Sequence, residues 1–184
     1  MTLMTKPGVE ALRVEPGAIE EAAKLLYIRA CKILPDDIKA GFARLDASET
    51  DGTARTILAT MIENIGVAER MDNLLCQATG IPIFNVLVGR NVQVDGWALK
   101  EAIARGTARA TREHPLRSSV VHPITRRNEH TSCGERVPVI NIDFTDAERE
   151  LRIEMIPKGS GSENGSFLQM LVPADGVAAV QRFA

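Results

Sequence analysis

Cys76-Gln77-Ala78-Thr79-Gly80-Ile81-Pro82-Ile83-Phe84-Asn85-Val86-Leu87-Val88 divides this chain into two textures. Before it, apolar residues recur at helical spacing. Within it, the run Ile83 to Val88 reads as a buried strand, closed by Gly89-Arg90-Asn91. Cys76 to Gly80 therefore forms a helix-to-strand junction. Loops mounted on rigid elements are where binding and catalytic groups concentrate. A thiolate can ligate metal, and Gly80 lets the backbone turn sharply or approach a ligand closely. A buried structural cysteine is the commoner outcome, so the meaning of Cys76 depends on the rest of the chain.

Upstream, residues 1 to 16 read as a loose lead-in. Pro16 opens a helix on which Ile19, Ala22, Ala23, Leu26, Ala30 and Ile33 recur, with Cys31 as a small core residue. Pro35-Asp36-Asp37 starts a second helix carrying Ile38, Phe42 and Leu45. Asp51 caps a third, carrying Ile57, Leu58, Met61, Ile62, Ile65 and Ala68. The expectation is a helical bundle that serves as a base for the Cys76 loop.

Downstream, a helix is expected from Gly96 to Glu113, with Trp97, Leu99, Ile103 and Ala110 apolar and Pro115 ending it. Residues 114 to 136 form a long polar connection, a type of segment that is often functional. Val137 to Phe144 and Leu151 to Ile156 alternate as strands, and 145–150 suits a hairpin turn between them. Pro157-Lys158-Gly159-Ser160-Gly161-Ser162-Glu163-Asn164-Gly165-Ser166 has the composition of a flexible linker. Its position after a strand also suits backbone N–H groups aimed at an anion, with Lys158 adding charge. Phe167, Leu168, Met170 and Leu171 read as an apolar helical turn. Pro173-Ala174-Asp175-Gly176 caps a final helix near Val177.

The fold class expected is α+β. A helical lobe, 1–75, packs on a small mixed α/β lobe, 76–184, and the two behave as about one domain. The 184 residues suffice for one sizeable core, and the composition is that of a globular protein, 45% hydrophobic and 25% charged. A net charge of -2 gives no reason to expect nucleic acid or an acidic membrane surface. No apolar run is long enough to span a bilayer, and Met1 to Glu10 lacks a signal-peptide core. A cytoplasmic location is the expectation. The odd number of cysteines, Cys31, Cys76 and Cys133, fits poorly with a disulfide framework and better with reduced thiols.

Several site chemistries can be weighed. An iron–sulfur cluster normally needs three or four thiolates. Cys76 is the first candidate, Cys133 the second and Cys31 a poor third. Zinc would have to gather His122, His130 and Cys133, whose spacing matches no compact zinc pattern. His114 suits a helix end. Arg105, Arg109 and Arg112 read as a solvated helix face. Arg117, at the edge of Leu116-Arg117-Ser118-Ser119-Val120-Val121, is placed either to grip a carboxylate bidentately or to form a surface ion pair. No nucleophile elbow or paired-carboxylate arrangement stands out.

Taken in order, four of these segments resemble one family. They are Cys76-Gln77-Ala78-Thr79-Gly80, Leu116 to Val121, Val137-Pro138-Val139-Ile140 and Pro157 to Asn164, followed by Met170 to Val177. The chain resembles the class I iron–sulfur hydro-lyases, the fumarate hydratase and tartrate dehydratase group, in their alpha subunit or alpha region. The resemblance runs from about residue 19. It implies a 4Fe-4S cluster held by three cysteines, with one open iron acting as Lewis acid on a small dicarboxylate such as fumarate, malate or tartrate. It implies Cys76, and as a further candidate Cys133, as metal ligands. It implies Gln77, Arg117, Lys158 and Gly159 as substrate-binding residues. It also implies a beta subunit as partner, in a dimer or heterotetramer. Two departures accompany it. The family loop reads Cys-Gln-Asp-Thr-Gly, whereas here Ala78 replaces the acid, so no catalytic residue is assigned. The family also continues to a Cys-Pro-Pro segment that supplies another ligand, and this chain, which has none, reads as truncated at its C-terminal end. The alternative function is a catalytically inactive relative serving as a binding or assembly module.

Overall fold

The computed structural model describes residues 10–76, 78–159, 161 and 165–183. In chain order the elements are β1 (Leu12–Arg13), α1 (Pro16–Lys32), α2 (Asp36–Ser48), α3 (Gly52–Arg70), β2 (Ile81–Gly89), β3 (Val92–Gln93), α4 (Gly96–Glu113), β4 (Val139–Thr145) and β5 (Leu151–Lys158). A 3-10 turn, Pro173–Asp175, leads into α5 (Gly176–Phe183). The α+β expectation holds.

Local chemistry sets the helix limits. Pro16 stands in the first turn of α1, where its missing N–H costs nothing. Asp51 accepts from the Ala54 N–H at 2.8 Å, and Asp95 from the Ala98 N–H at 2.7 Å, so both long helices α3 and α4 begin on a carboxylate cap. Pro115 disfavours helical backbone at His114, and α4 ends there.

The main sheet has three strands in the order β4-β2-β5. Strand β2 runs parallel to β4, with Phe84 opposite Ile140, and antiparallel to β5, with Phe84 opposite Met155. One face of β2 presents Phe84, Val86 and Val88. Ile19 and Ala23 of α1 and Leu99, Ala102 and Ile103 of α4 cover it, forming the main core. Lead-in residues Leu12 and Arg13 pair with Val92 and Gln93 in a small parallel ladder that local sequence did not announce.

Three expectations are corrected. Residues 145–150 do not close a hairpin, because β2 lies between β4 and β5. That loop instead crosses the end of β2. The N–H groups of Gly89, Arg90 and Asn91 donate to the carbonyls of Glu150, Ala147 and Glu148, each at 2.8 Å. A Cβ on Gly89 would lie 2.6 Å from the Ala147 carbonyl oxygen, so only glycine admits the crossing. Alternation identifies a strand but not its neighbour. Second, Phe167, Leu168 and Met170 form no helical turn and stand exposed. So short a helix needs an apolar partner face to hold it. Third, the three N-terminal helices do not close on one another as a bundle. α2 and α3 pair with each other, while α1 lies against α4 and β5. Among the described residues no helix is long and apolar enough to cross a membrane.

The α1–α4 crossing is very close. A Cβ on Gly106 would sit 2.3 Å from the Glu20 carbonyl oxygen and 2.9 Å from the Ala23 Cβ. Glu20 receives Arg105 at 2.7 Å and Arg109 at 3.0 Å, Arg109 also reaches Glu21, and Lys24 pairs with Glu113. Arg105 and Arg109 are thus consumed by the acids of α1.

Gly106→Ala is expected to lower stability by about 1–3 kcal/mol through overpacking, read as a reduced urea midpoint with an unchanged slope. A second expectation concerns acid. Hydrogen bonds from Arg105, then Arg109, hold the Glu20 carboxyl below its ordinary value of 4.5. A depressed carboxylate adds stability that is present at neutral pH and lost as pH falls through its folded-state pKa. Glu20→Gln should therefore destabilise at neutral pH, and the difference from wild type should shrink below about pH 4.5 in thermal melts.

Candidate functional site

The loop from Cys76 to Gly80 is pinned from three sides. The Leu75 N–H donates to the Cys31 carbonyl at 2.9 Å, and the Asn64 amide donates to the Leu75 carbonyl at 3.0 Å. The Tyr27 hydroxyl donates towards the Thr79 carbonyl at 3.2 Å, with the Gly80 carbonyl at 3.4 Å. The Thr79 hydroxyl donates to the Arg117 carbonyl at 2.6 Å. Gly80 adopts φ +72, and a Cβ there would lie 2.8 Å from the Lys158 carbonyl carbon and oxygen. The Cys76 loop, the Arg117 segment and the Lys158 end of β5 therefore meet at one place.

A second small core underlies this junction. Tyr27, Ile28 and Cys31 of α1, Ala110 of α4 and Leu116 pack together. Burying Leu116 and Ser118 turns the intervening Arg117 outward, and its side chain is exposed. Lys158 is half-buried, with its ammonium 3.2 Å from the Gly159 carbonyl. Gln77 lies outside the described residues, as do Ser160, Ser162, Glu163 and Asn164.

Cys76 is exposed and lines a pocket of about 170 Å³ together with Cys31, Ala78 and Pro157. Burial pushes the Cys31 thiol up to about 12. Cys133 faces a different and larger cleft of about 770 Å³, with His122, Arg127, Glu129 and Glu135. Its thiol donates to the Ala104 carbonyl on α4 at 3.4 Å, and burial raises its pKa. His122 Nδ1 accepts from the N–H groups of Ile124 and Thr125 at 3.2 and 3.1 Å, so that nitrogen closes a turn. Among the described residues no group of three Cys, His, Asp or Glu side chains gathers to hold a metal. The zinc arrangement is not formed there. The described residues likewise offer a cluster a single exposed thiol at the junction, which is not a complete cluster site.

The long connection 114–138 is built as an internal scaffold. The Ser132 N–H donates to Ser118 Oγ at 3.0 Å, the Asn128 amide donates to the Ser118 carbonyl at 3.0 Å, and the Thr111 hydroxyl reaches Ser132 Oγ at 3.0 Å. Arg126, His130, Ser132 and Arg136 all take left-handed backbone, which is uncommon outside glycine.

Tyr27 is the residue that sequence reading missed. It is the only tyrosine, lies one and two helical turns beyond Ala23 and Ile19, and is fully buried. A buried phenol needs a polar partner, and that requirement was the available signal. Tyr27→Phe should cost about 1 kcal/mol in unfolding free energy and speed hydrogen exchange across 75–81 more than in β2.

Comparisons with known proteins bear on the family of the chain. The family model described as fumarate hydratase (Fumerase) matches residues 20–184. A relative from Methanocaldococcus jannaschii, provisionally named L(+)-tartrate dehydratase subunit alpha, is 38% identical over 167 residues, covering 90% of this chain and 59% of that protein. A provisionally named class I fumarate hydratase of Geobacillus stearothermophilus is 30% identical, covering 84% of this chain and 30% of its own length. The L(+)-tartrate dehydratase subunit alpha of Escherichia coli K12 is 27% identical, covering 82% and 49%. This chain thus spans from under a third to about three-fifths of the length of these relatives. On the match across residues 20–184, the chain belongs to the fumarate hydratase (Fumerase) family, in the alpha region.

Proposed function

We propose that this chain forms the alpha part of a hydro-lyase that adds or removes water on a small dicarboxylate of the fumarate, malate or tartrate type. The observation that carries the reading is the meeting of the Cys76, Arg117 and Lys158 segments, fastened by the Thr79–Arg117 bond and the glycine contact at Gly80. A dicarboxylate presents two anionic ends. Arg117 offers a planar fork suited to bidentate binding of one, and Lys158 offers a compact charge for the other. Gln77 and the Gly159 backbone would supply neutral hydrogen bonds to the same ligand.

In this reading Cys76 is one ligand of a 4Fe-4S cluster. Cys133 faces another cleft and bonds to α4, which favours a structural role for it. The remaining ligands and the general acid–base groups would come from outside the described residues. A beta subunit in a heterotetramer would be one source, and the cytoplasm is the expected setting.

A second reading rests on Ala78. It lines the pocket beside Cys76, and its methyl can neither orient a substrate nor move a proton. A chain that keeps the junction but lacks this acid would serve as a binding or assembly module.

The test is calorimetry and turnover with fumarate, malate and tartrate, on the chain co-produced anaerobically with its partner. Arg117→Ala should weaken dicarboxylate binding about 10–100-fold, the loss of a charged hydrogen-bonded contact. Binding without turnover, with turnover appearing in Ala78→Asp, would select the second reading. No heat with any of the three acids would sink the first.

A further inference from the structure

Two of the three thiols in this chain share one pocket. Cys31 lies at the end of α1 and is buried, while Cys76 is exposed, and both line the pocket of about 170 Å³. Two contacts clamp the loop onto Cys31. At one end its carbonyl receives the Leu75 N–H at 2.9 Å. At the other its own thiol donates to the Thr79 carbonyl at 3.8 Å. Residue 76 lies between those two attachments, immediately after the residue bonded to Cys31. The Leu75–Cys31 backbone bond sets the start of the loop beside the end of α1, the kind of backbone approach a disulfide needs. The other side chains of the pocket include Ala30 and Ala78, whose methyl groups leave room for sulfur to move. Cys133 is directed elsewhere, towards Ala104.

We propose that Cys31 and Cys76 are a peroxide-responsive thiol pair that closes into a disulfide between α1 and the loop. Hydrogen peroxide reaches the exposed Cys76 first. A sulfur–oxygen bond forms, the peroxide O–O bond breaks, one water leaves and Cys76 becomes a sulfenic acid. The Cys31 sulfur then attacks the Cys76 sulfur. The sulfur–oxygen bond breaks, and the departing hydroxide takes the Cys31 proton to become a second water. The two sulfurs together lose two electrons and two protons, and one peroxide is reduced to two waters. The pair does not depend on the hydro-lyase reading. If that reading holds, the disulfide withdraws Cys76 from metal ligation while keeping its sulfur in a form that thiols can restore.

The test uses the purified full chain, free of metal, so that its result is separate from any hydratase assay. The protein is treated with one equivalent of hydrogen peroxide, alkylated and digested with trypsin without reduction. The expected product has lost two hydrogens and yields a peptide joining Ala30–Lys32 to Met71–Arg90, with Cys133 still alkylated. Dithiothreitol should reverse it. In Cys31→Ser, and in Cys31→Ala as the better-packing substitute, the loss of two hydrogens should disappear. Cys76 should then gain a single oxygen as sulfenic acid, which dimedone traps. The proposal is overturned if wild-type Cys76 gains oxygen while Cys31 stays alkylatable. It is equally overturned if the main product joins Cys76 to Cys133 or to a second chain.

Discussion

The close crossing of α1 over α4 at Gly106 is the constraint on which the rest of this structure depends. With no side chain at Gly106, the α1 backbone at Glu20 and the Ala23 methyl settle directly onto α4. That depth lets Ile19 and Ala23 close over Phe84 and Val86 of the central strand. It also sets the level of Tyr27, one turn further along the same face. The phenol then reaches the Thr79 carbonyl and fixes the loop that carries Cys76. The scaffold and the candidate site are thus controlled by one helix–helix distance. The four ion pairs around it fix the register of the two helices rather than their spacing.

Much of this was legible locally. Pro16, Asp51 and Pro115 mark helix limits through chemistry that involves only a turn of chain. The Ile83 to Val88 run identifies a buried strand because both of its ladders are occupied. What remained illegible was everything decided by partners distant in sequence. Nothing within 137–158 tells β4 and β5 to pair across β2 rather than with each other. Gly89-Arg90-Asn91 read as closing the strand, whereas Gly89 admits the 145–150 loop across its end. The left-handed residues of the 114–138 loop, Arg126, His130, Ser132 and Arg136, carry no glycine signature.

The site divides in the same way. Cys76, Arg117 and Lys158 could be singled out as residue types, and the family resemblance put their segments in order. Sheet register brings the Lys158 segment to the loop, because Ile81 stands opposite Lys158, and the Thr79 hydroxyl fastens the Arg117 segment to it. Thr79 and Tyr27, which fasten the junction, are ordinary residues in sequence and acquire their roles only from burial. Cys133 illustrates the converse. Its residue type suggested a ligand, yet its thiol is directed to a carbonyl of α4 on a separate cleft.

The order of the strands also has a consequence for biosynthesis. The central strand must wait for both neighbours, and even the nearer pairing, Asn85 with Asn141, spans 56 residues. Closing so long a segment costs entropy before any ladder bond repays it. As the chain emerges from the ribosome, α1, β2 and α4 are complete well before β4 and β5 exist. Both edges of the most apolar strand then stand open during translation. An unpaired strand of that kind is a target for holding chaperones and a seed for aggregation. Production at reduced temperature, or with such chaperones in excess, acts on that interval and leaves the finished fold unaltered.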